Sequence, residues 1–181
     1  DGEELPEAGG VYVAETNVGK LRRSRLPFYR RNIGVVFQDF RLLPKMTVFE
    51  NIAFALEVLA LDKVTIRRRV REILELVSLQ DKAKSFPDQL SGGQQQRATI
   101  ARAIANHPKV LIADEPTGNL DPEKSMEIIE LLDKINKVEG TTIVMVTHDS
   151  TLVNTYKKRT IALEDGFIVA DIAKGGYIRH D

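Results

Sequence analysis

Val110-Leu111-Ile112-Ala113 runs apolar for four residues and then stops at two acids, Asp114-Glu115. A strand that is apolar on both faces belongs inside a sheet covered on both sides, which is how the parallel sheets of α/β proteins read. Ile33-Gly34-Val35-Val36-Phe37 is a second compact apolar run, ending at Gln38, and Thr142–Val146 is a third, ending in Thr147-His148-Asp149. Between them the period changes. Thr47, with Glu50 three residues on, predicts an N-cap and a helix to about Leu61. Thr65 is expected to cap the next helix, in which Val70, Ile73, Leu74 and Val77 share one face. Pro87 and Ser91-Gly92-Gly93 interrupt the pattern before a helix over Gln94–Asn106, and another is expected from Pro122 to Val138. Val11–Ala14 is expected as a short strand, and Thr160–Leu163 and Phe167–Ala170 flank Glu164-Asp165-Gly166 as a hairpin. Strands alternating with helices predict an α/β fold around a parallel sheet. Helices alone fill residues 47–106, which predicts a helical subdomain inserted into a single domain spanning residues 1–181.

Composition narrows the function classes. Of the 181 residues 43% are hydrophobic and 29% charged, with a formal net charge of zero, so no global charge calls for nucleic acid as a partner. Cysteine is absent, which excludes disulfides and thiolate metal sites and fits a reducing compartment. The apolar stretch Ile52–Leu61 is broken by Glu57 and is too short to cross a bilayer. The sequence opens at Asp1 rather than Met, and an incomplete N-terminus is expected from that.

Two blocks carry chemistry. Asp114 and Glu115 stand at the carboxyl end of a buried strand, where open α/β sheets place their ligands. One carboxylate there suits Mg²⁺, and its neighbour can polarise a water for attack on a phosphate. Read alone, the pair is equally a strand end with two solvated acids. Leu90-Ser91-Gly92-Gly93-Gln94-Gln95-Gln96-Arg97 places two glycines at the start of a helix, where free backbone N–H groups and the helix dipole favour a phosphate. Ser91 adds a hydroxyl donor.

Here the sequence resembles the nucleotide-binding domains of ABC-type ATPases. Leu90–Gln94 is similar to the family's signature sequence, Asp114-Glu115 to the end of its Walker B motif, Gln38 to its Q-loop, Asn119-Leu120-Asp121 to its D-loop and His148 to its switch histidine. The resemblance covers nearly the whole chain. It implies an ABC ATPase fold and ATP with Mg²⁺ as cofactors. Asp114 would hold the metal directly or through water, Glu115 would be the general base, Gln38 would sense metal and γ-phosphate, and His148 would contact the γ-phosphate. Ser91, Gly92, Gly93 and Gln94 would face ATP held by a second copy in a head-to-tail homodimer, with Asp121 at the shared interface. Asp121 also precedes Pro122 and reads equally well as a helix cap.

The family's phosphate loop, G-x-x-x-x-G-K-[ST], is not found. Gly19-Lys20 comes nearest, but Ala14 and Leu21 break the pattern, and the residues before Gly9 instead resemble the end of the helix that follows such a loop. Poor ATP binding and a poorly protected core are therefore expected of this chain alone.

The strings Arg30–Pro44, Thr47–Ala53 and Ala113–Pro122 resemble the bacterial cell-division branch of the family. That branch implies a subunit peripheral to the cytoplasmic face of the plasma membrane, bound to an integral membrane protein of the FtsX type. A lipoprotein-release or macrolide-export ATPase shares much of the pattern. A non-catalytic module that donates its signature sequence to an intact partner is a further reading. The apolar residues Phe40, Leu42, Leu43 and Phe49 read mostly as core, and the basic run Lys20–Arg31 as a surface facing solvent, partner or anionic lipid.

Overall fold

A computed structural model describes residues 6–13 and 16–173. The chain divides into two compact units between Val146 and Thr147.

In the first unit, β1 (Tyr12–Val13) and β2 (Thr16–Asn17) form a small antiparallel pair. The strand expected over Val11–Ala14 is thus shorter, and Ala14 lies outside the described residues, as do residues 1–5 of the segment compared to a helix end. A short helix α1 (Leu26–Arg30) leads into β3 (Ile33–Val36). Three helices follow, α2 (Val48–Glu57), α3 (Lys63–Leu76) and α4 (Gly92–Ala103), before β4 (Val110–Asp114), α5 (Pro122–Glu139) and β5 (Thr142–Val146). The strands β3, β4 and β5 form one parallel sheet in that order, so the α/β class and the parallel core are as expected. Register places Ile33, Val110 and Thr142 abreast, then Val35, Ile112 and Val144.

One face of this sheet is sealed at β3 and β4, where Val36, Leu111 and Ala113 are fully buried. Gly34 lies on that face, and a Cβ on it would meet the Ala103 carbonyl oxygen at 2.5 Å and Leu111 Cδ1 at 2.8 Å, so α4 closes directly on β3. The other face is only half covered. Ile33, Val35, Val110 and Ile112 are half-buried, and Val144 and Val146 remain 49% and 52% exposed. Cover on both faces, which the apolar runs predict, is complete only at β3 and β4 on one side; Ile143 and Met145 of β5 on that side are half-buried.

Local chemistry explains most boundaries. Thr47 and Glu50 form the expected capping box of α2, with Glu50 Oε2 accepting from the Thr47 N–H at 2.7 Å. The α3 cap is Asp62, not Thr65: Asp62 Oδ1 accepts from the N–H groups of Val64 and Thr65, and the Thr65 hydroxyl donates to Asp62 Oδ2. A carboxylate at this position outcompetes a hydroxyl because it accepts several donors at once, and negative charge is favoured at a helix start. Helix α2 stops at Glu57 rather than Leu61, and Ala60 adopts φ of +56° in the connection to α3.

In the second unit, Asp149 caps α6 (Ser150–Tyr156). Strands β6 (Thr160–Glu164) and β7 (Phe167–Ile172) pair antiparallel. Their two-residue turn has φ of +49° at Asp165 and +82° at Gly166, the double positive φ that an Asp-Gly hairpin turn supplies. Arg159 and Asp171 clamp the hairpin with two hydrogen bonds of 2.9 and 2.7 Å.

Candidate active site

The carboxyl ends of β3 and β4 carry Gln38 and the Asp114-Glu115 pair on neighbouring, hydrogen-bonded strands. Asp114 is exposed and stands opposite Val146 in the parallel register. Glu115 leaves the strand with φ of +45°, a left-handed conformation that is uncommon for a residue with a side chain. Its N–H donates to the Val146 carbonyl at 3.0 Å, and its own carbonyl accepts from Gly118 N–H at 3.0 Å. These two bonds hold the bend, which turns the chain sharply after Asp114. Non-glycine residues held in this region cost roughly 1–3 kcal/mol and concentrate at functional sites.

The bend brings the next segment back over β3. Asn119 Nδ2 donates to the Gln38 carbonyl at 3.2 Å. The Gln38 side chain lies against Gly118, where an added Cβ would come within 2.9 Å of Gln38 Nε2. Gly118 leaves room for the Gln38 side chain in this position, and a larger residue there would push that side chain aside.

Ser91 caps α4. Its Oγ accepts from Gln94 N–H at 3.4 Å, and its own N–H donates to Gln94 Oε1 at 3.0 Å. This capping box leaves the Ser91 hydroxyl proton available as a donor. The N–H groups of Gly92 and Gly93, in the first turn, have no acceptor within the helix. The same turn packs on the D-loop-like segment: added Cβ atoms would meet Leu120 Cδ2 at 3.4 Å from Gly92, and Lys124 Cδ at 3.4 Å from Gly93. Asp121 caps α5 by accepting from Lys124 N–H at 2.9 Å, so the cap reading of Asp121 is realised in the structure. Gln38, Asp114, Glu115, Asp121 and the start of α4 are therefore linked through one short loop, residues 115–121. His148 lies in the second unit, exposed, between Thr147 and the α6 cap Asp149.

Several residues that support this arrangement are not evident from the motifs. Gln96, fully buried, donates to the Pro116 carbonyl at 2.7 Å and thereby ties α4 to the acidic loop. Thr99 Oγ1 donates to the Phe40 carbonyl at 2.8 Å, and Arg102 Nη1 to the Arg41 carbonyl at 2.8 Å, so α4 also fixes the stretch after Gln38. Asn51 is completely buried and staples that stretch from α2, accepting from Leu43 N–H and donating to the carbonyls of Leu43, Met46 and Thr47. The run of three glutamines after Gly93 is the only hint in the sequence, since its last member falls on the buried face of α4.

Gly19 and Lys20 lie in a single 3₁₀ turn, Val18–Lys20, after the two-residue β2. That setting differs from the strand–loop–helix of a phosphate loop and agrees with setting them aside. Among the described residues, no group of three or more His, Cys, Asp or Glu side chains could hold a metal ion by itself. The donors on the sheet edge, the Asp114 carboxylate and the Gln38 amide oxygen, are hard oxygens. They fit Mg²⁺, which binds through one or two carboxylates and takes its remaining ligands from water and phosphate.

Comparison with known proteins decides the family. The ABC transporter family matches residues 1–118. The chain belongs to the ABC transporter ATPase family. It is 55% identical over 179 residues to the cell division ATP-binding protein FtsE of Bacillus subtilis (strain 168), an alignment covering 99% of this chain and 78% of that protein. Among solved structures it resembles the ATP-binding cassette MJ0796, a dimer in a post-hydrolysis state bound to ADP and Pi, with a TM-score of 0.81 and 38% identity over 97% of this chain and 78% of that one. It also resembles CbiO1 of Clostridium perfringens, part of the ABC transporter complex CbiONQ, with a TM-score of 0.89 and 30% identity over 95% of this chain and 68% of that one. The fold is thus the ABC cassette, and ATP hydrolysis is the activity of the family.

Proposed function

We propose that this chain is the ATP-binding and hydrolysing subunit of a cell-division complex of the FtsEX type. The observation that carries the proposal is the joining of Gln38, Asp114-Glu115, Asp121 and the Ser91-capped α4 through residues 115–121, in a chain 55% identical to an FtsE protein. Bound Mg²⁺–ATP would supply the reactive γ-phosphate and the charge that stabilises its transfer. Asp114 would hold the ion, directly or through water, and Gln38, pinned against Gly118, would sense it. Glu115, just past the carboxyl end of β4, would accept the proton of the attacking water. His148 would contact the γ-phosphate. Ser91, Gly92, Gly93 and Gln94 would offer their donors to a nucleotide held by a second copy, head to tail, with Asp121 at that interface.

In this reading residues 47–106 act as a helical subdomain within one ATPase domain of residues 1–181. The subunit would dock on an integral membrane protein of the FtsX type and lie peripherally on the cytoplasmic face of the membrane. No described helix is long and apolar enough to cross the membrane itself. Regulation of cell-wall hydrolases through that partner is the expected output.

None of the 181 residues forms the family's glycine-rich phosphate loop, so this chain alone should bind ATP weakly. A fluorescent ATP analogue with Mg²⁺, titrated into the 181-residue chain and into a version extended at its N-terminus by such a loop, tests this. Tight binding by the extended form only, with Glu115→Gln trapping ATP there, is the expected outcome. Tight binding by the 181 residues alone would show that other groups grip the phosphates and would overturn the assignment.

A further inference from the structure

The chain is neutral overall but not uniformly so. Between Thr16 and Gln38 there is no acidic residue, while Lys20, Arg22, Arg23, Arg25, Arg30 and Arg31 fall within twelve positions. All six side chains are exposed. They occupy the 3₁₀ turns Val18–Lys20 and Arg23–Arg25, helix α1 and the residues beside them.

The structure holds this basic segment in place. The Arg31 carbonyl accepts from Asn106 Nδ2 at 2.5 Å, and the Asn32 carbonyl accepts from the N–H groups of Lys109 and Val110. The carboxyl end of the segment is therefore fastened to the amino ends of β3 and β4, where exposed Lys109 adds another cation. The acids of the candidate active site lie at the opposite, carboxyl ends of the same strands. Phe28 projects from the middle of the segment, 58% exposed, with the Arg31 guanidinium 4.9 Å from its ring centroid. An exposed phenyl ring has no hydrogen-bonding group to offer a polar partner, and it sits here among charges that attract anions.

We infer that this segment is a membrane-contact surface that binds anionic lipid, with the arginines on the headgroups and Phe28 at the headgroup–acyl boundary. Two observations favour a lipid surface over an acidic protein. The combination of a basic cluster and an exposed aromatic suits an interface that is anionic outside and apolar beneath. The patch residues also line neither the ≈ 560 Å³ cavity between α2 and α3 nor the ≈ 280 Å³ cavity near His107. A specific protein partner is normally anchored in pockets. The inference rests on the proposed position at a membrane, but it needs neither nucleotide nor a membrane-protein partner.

Flotation of the 181-residue chain on density gradients separates bound protein, which rises with vesicles, from aggregate, which sinks. Vesicles of phosphatidylcholine alone are compared with vesicles of phosphatidylcholine mixed with phosphatidylglycerol. Binding is expected to the anionic vesicles only, and to weaken steeply with added salt. Each cation removed should lower the partition coefficient about fivefold, so the triple variant Arg22→Ala, Arg23→Ala, Arg25→Ala should lose roughly a hundredfold. Phe28→Ala should weaken binding further. Arg67→Ala with Arg68→Ala removes exposed cations from α3 and should leave binding unchanged, which separates the patch from general charge. All these side chains are exposed, and circular dichroism checks that each variant folds. Equal flotation with neutral vesicles, equal loss in the α3 variant, or binding to soluble polyglutamate but not to vesicles would overturn the inference. Failure of flotation would leave the nucleotide proposal intact, because the extended-chain titration contains no lipid.

Discussion

At the scale of single residues, Glu115 shows how a site is built from an unfavourable choice. Its φ of +45° is held by hydrogen bonds from its N–H to Val146 and from Gly118 to its carbonyl. Glycine adopts this conformation freely, so Glu115→Gly should raise stability by about 0.5–1 kcal/mol, the released strain outweighing the added freedom of the unfolded chain. Glu115→Gln leaves the strain in place and should lie nearer the parent. Urea midpoints measured at high dilution distinguish the two, and a glycine variant less stable than the parent would mean that the side chain's contacts outweigh the backbone. The acidic pair itself was legible in sequence, because two acids closing a fully apolar run mark the carboxyl end of a buried strand, where such sheets place ligands. The strain was not, since nothing in Asp-Glu-Pro announces a left-handed glutamate. Nor was the contact of Gly118 with Gln38, which arises only when residues 115–121 fold back on Gln38.

Elements are placed by a few buried contacts, and two of them make measurable claims. Gly34 on β3 lies against the Ala103 carbonyl of α4, and backbone cannot move aside as a flexible side-chain tip can. Gly34→Ala should therefore destabilise the chain by about 1–3 kcal/mol, seen as a lower urea midpoint with an unchanged slope. At the far end of the helical region, Arg69 on α3 donates to both carboxylate oxygens of Glu139 on α5, at 3.1 and 2.9 Å, and to the carbonyls of Ile104 and Ala105 after α4. His107 Nδ1 lies 2.7 Å from the same carboxylate. Burial alone would raise the Glu139 pKa, but the hydrogen bonds and charge of Arg69, with His107 beside it, outweigh burial and hold it below the usual range. The resulting stability is present above the unfolded value of about 4.3 and is lost as pH falls through the lowered folded value. Acid titration of the urea midpoint should show this decline, and Arg69→Met should flatten it while costing about 3 kcal/mol at neutral pH. An unchanged acid limb in Arg69→Met would assign the decline to other carboxylates. The helices and strands here were largely legible from period and caps, because those signals are local. The Asp62 cap and the Arg69 bridge were not. The first is a carboxylate three residues before the hydroxyl expected as the cap, and the second joins residues 70 positions apart.

For the molecule as a whole, the parallel sheet was foreseeable and its uneven cover was only partly so. In the first unit β5 is an edge strand of the three-stranded sheet, and its Val144 and Val146 are about half exposed beside half-buried Val35 and Ile112. In the second unit the hairpin leaves Leu163, Phe167 and Ile168 at 67%, 74% and 67% exposure. Long apolar edges and exposed apolar faces are templates for pairing with another chain, and nothing on β5 or the hairpin carries the lysines or prolines that usually blunt such edges. Each surface is unfavourable to leave in water, at about 25 cal/mol per Å² of apolar area. The 181-residue chain should therefore associate with rising concentration, bind an apolar dye such as ANS when folded, and unfold irreversibly on heating. Val144→Lys with Val146→Lys, placing charge on the open face without touching the sealed one, should suppress association and leave the far-ultraviolet spectrum unchanged. Light scattering across a concentration series checks both claims. A chain that stays monomeric and unfolds reversibly in two states would show that these faces are covered in solution, and the same double lysine variant would then be destabilising rather than solubilising.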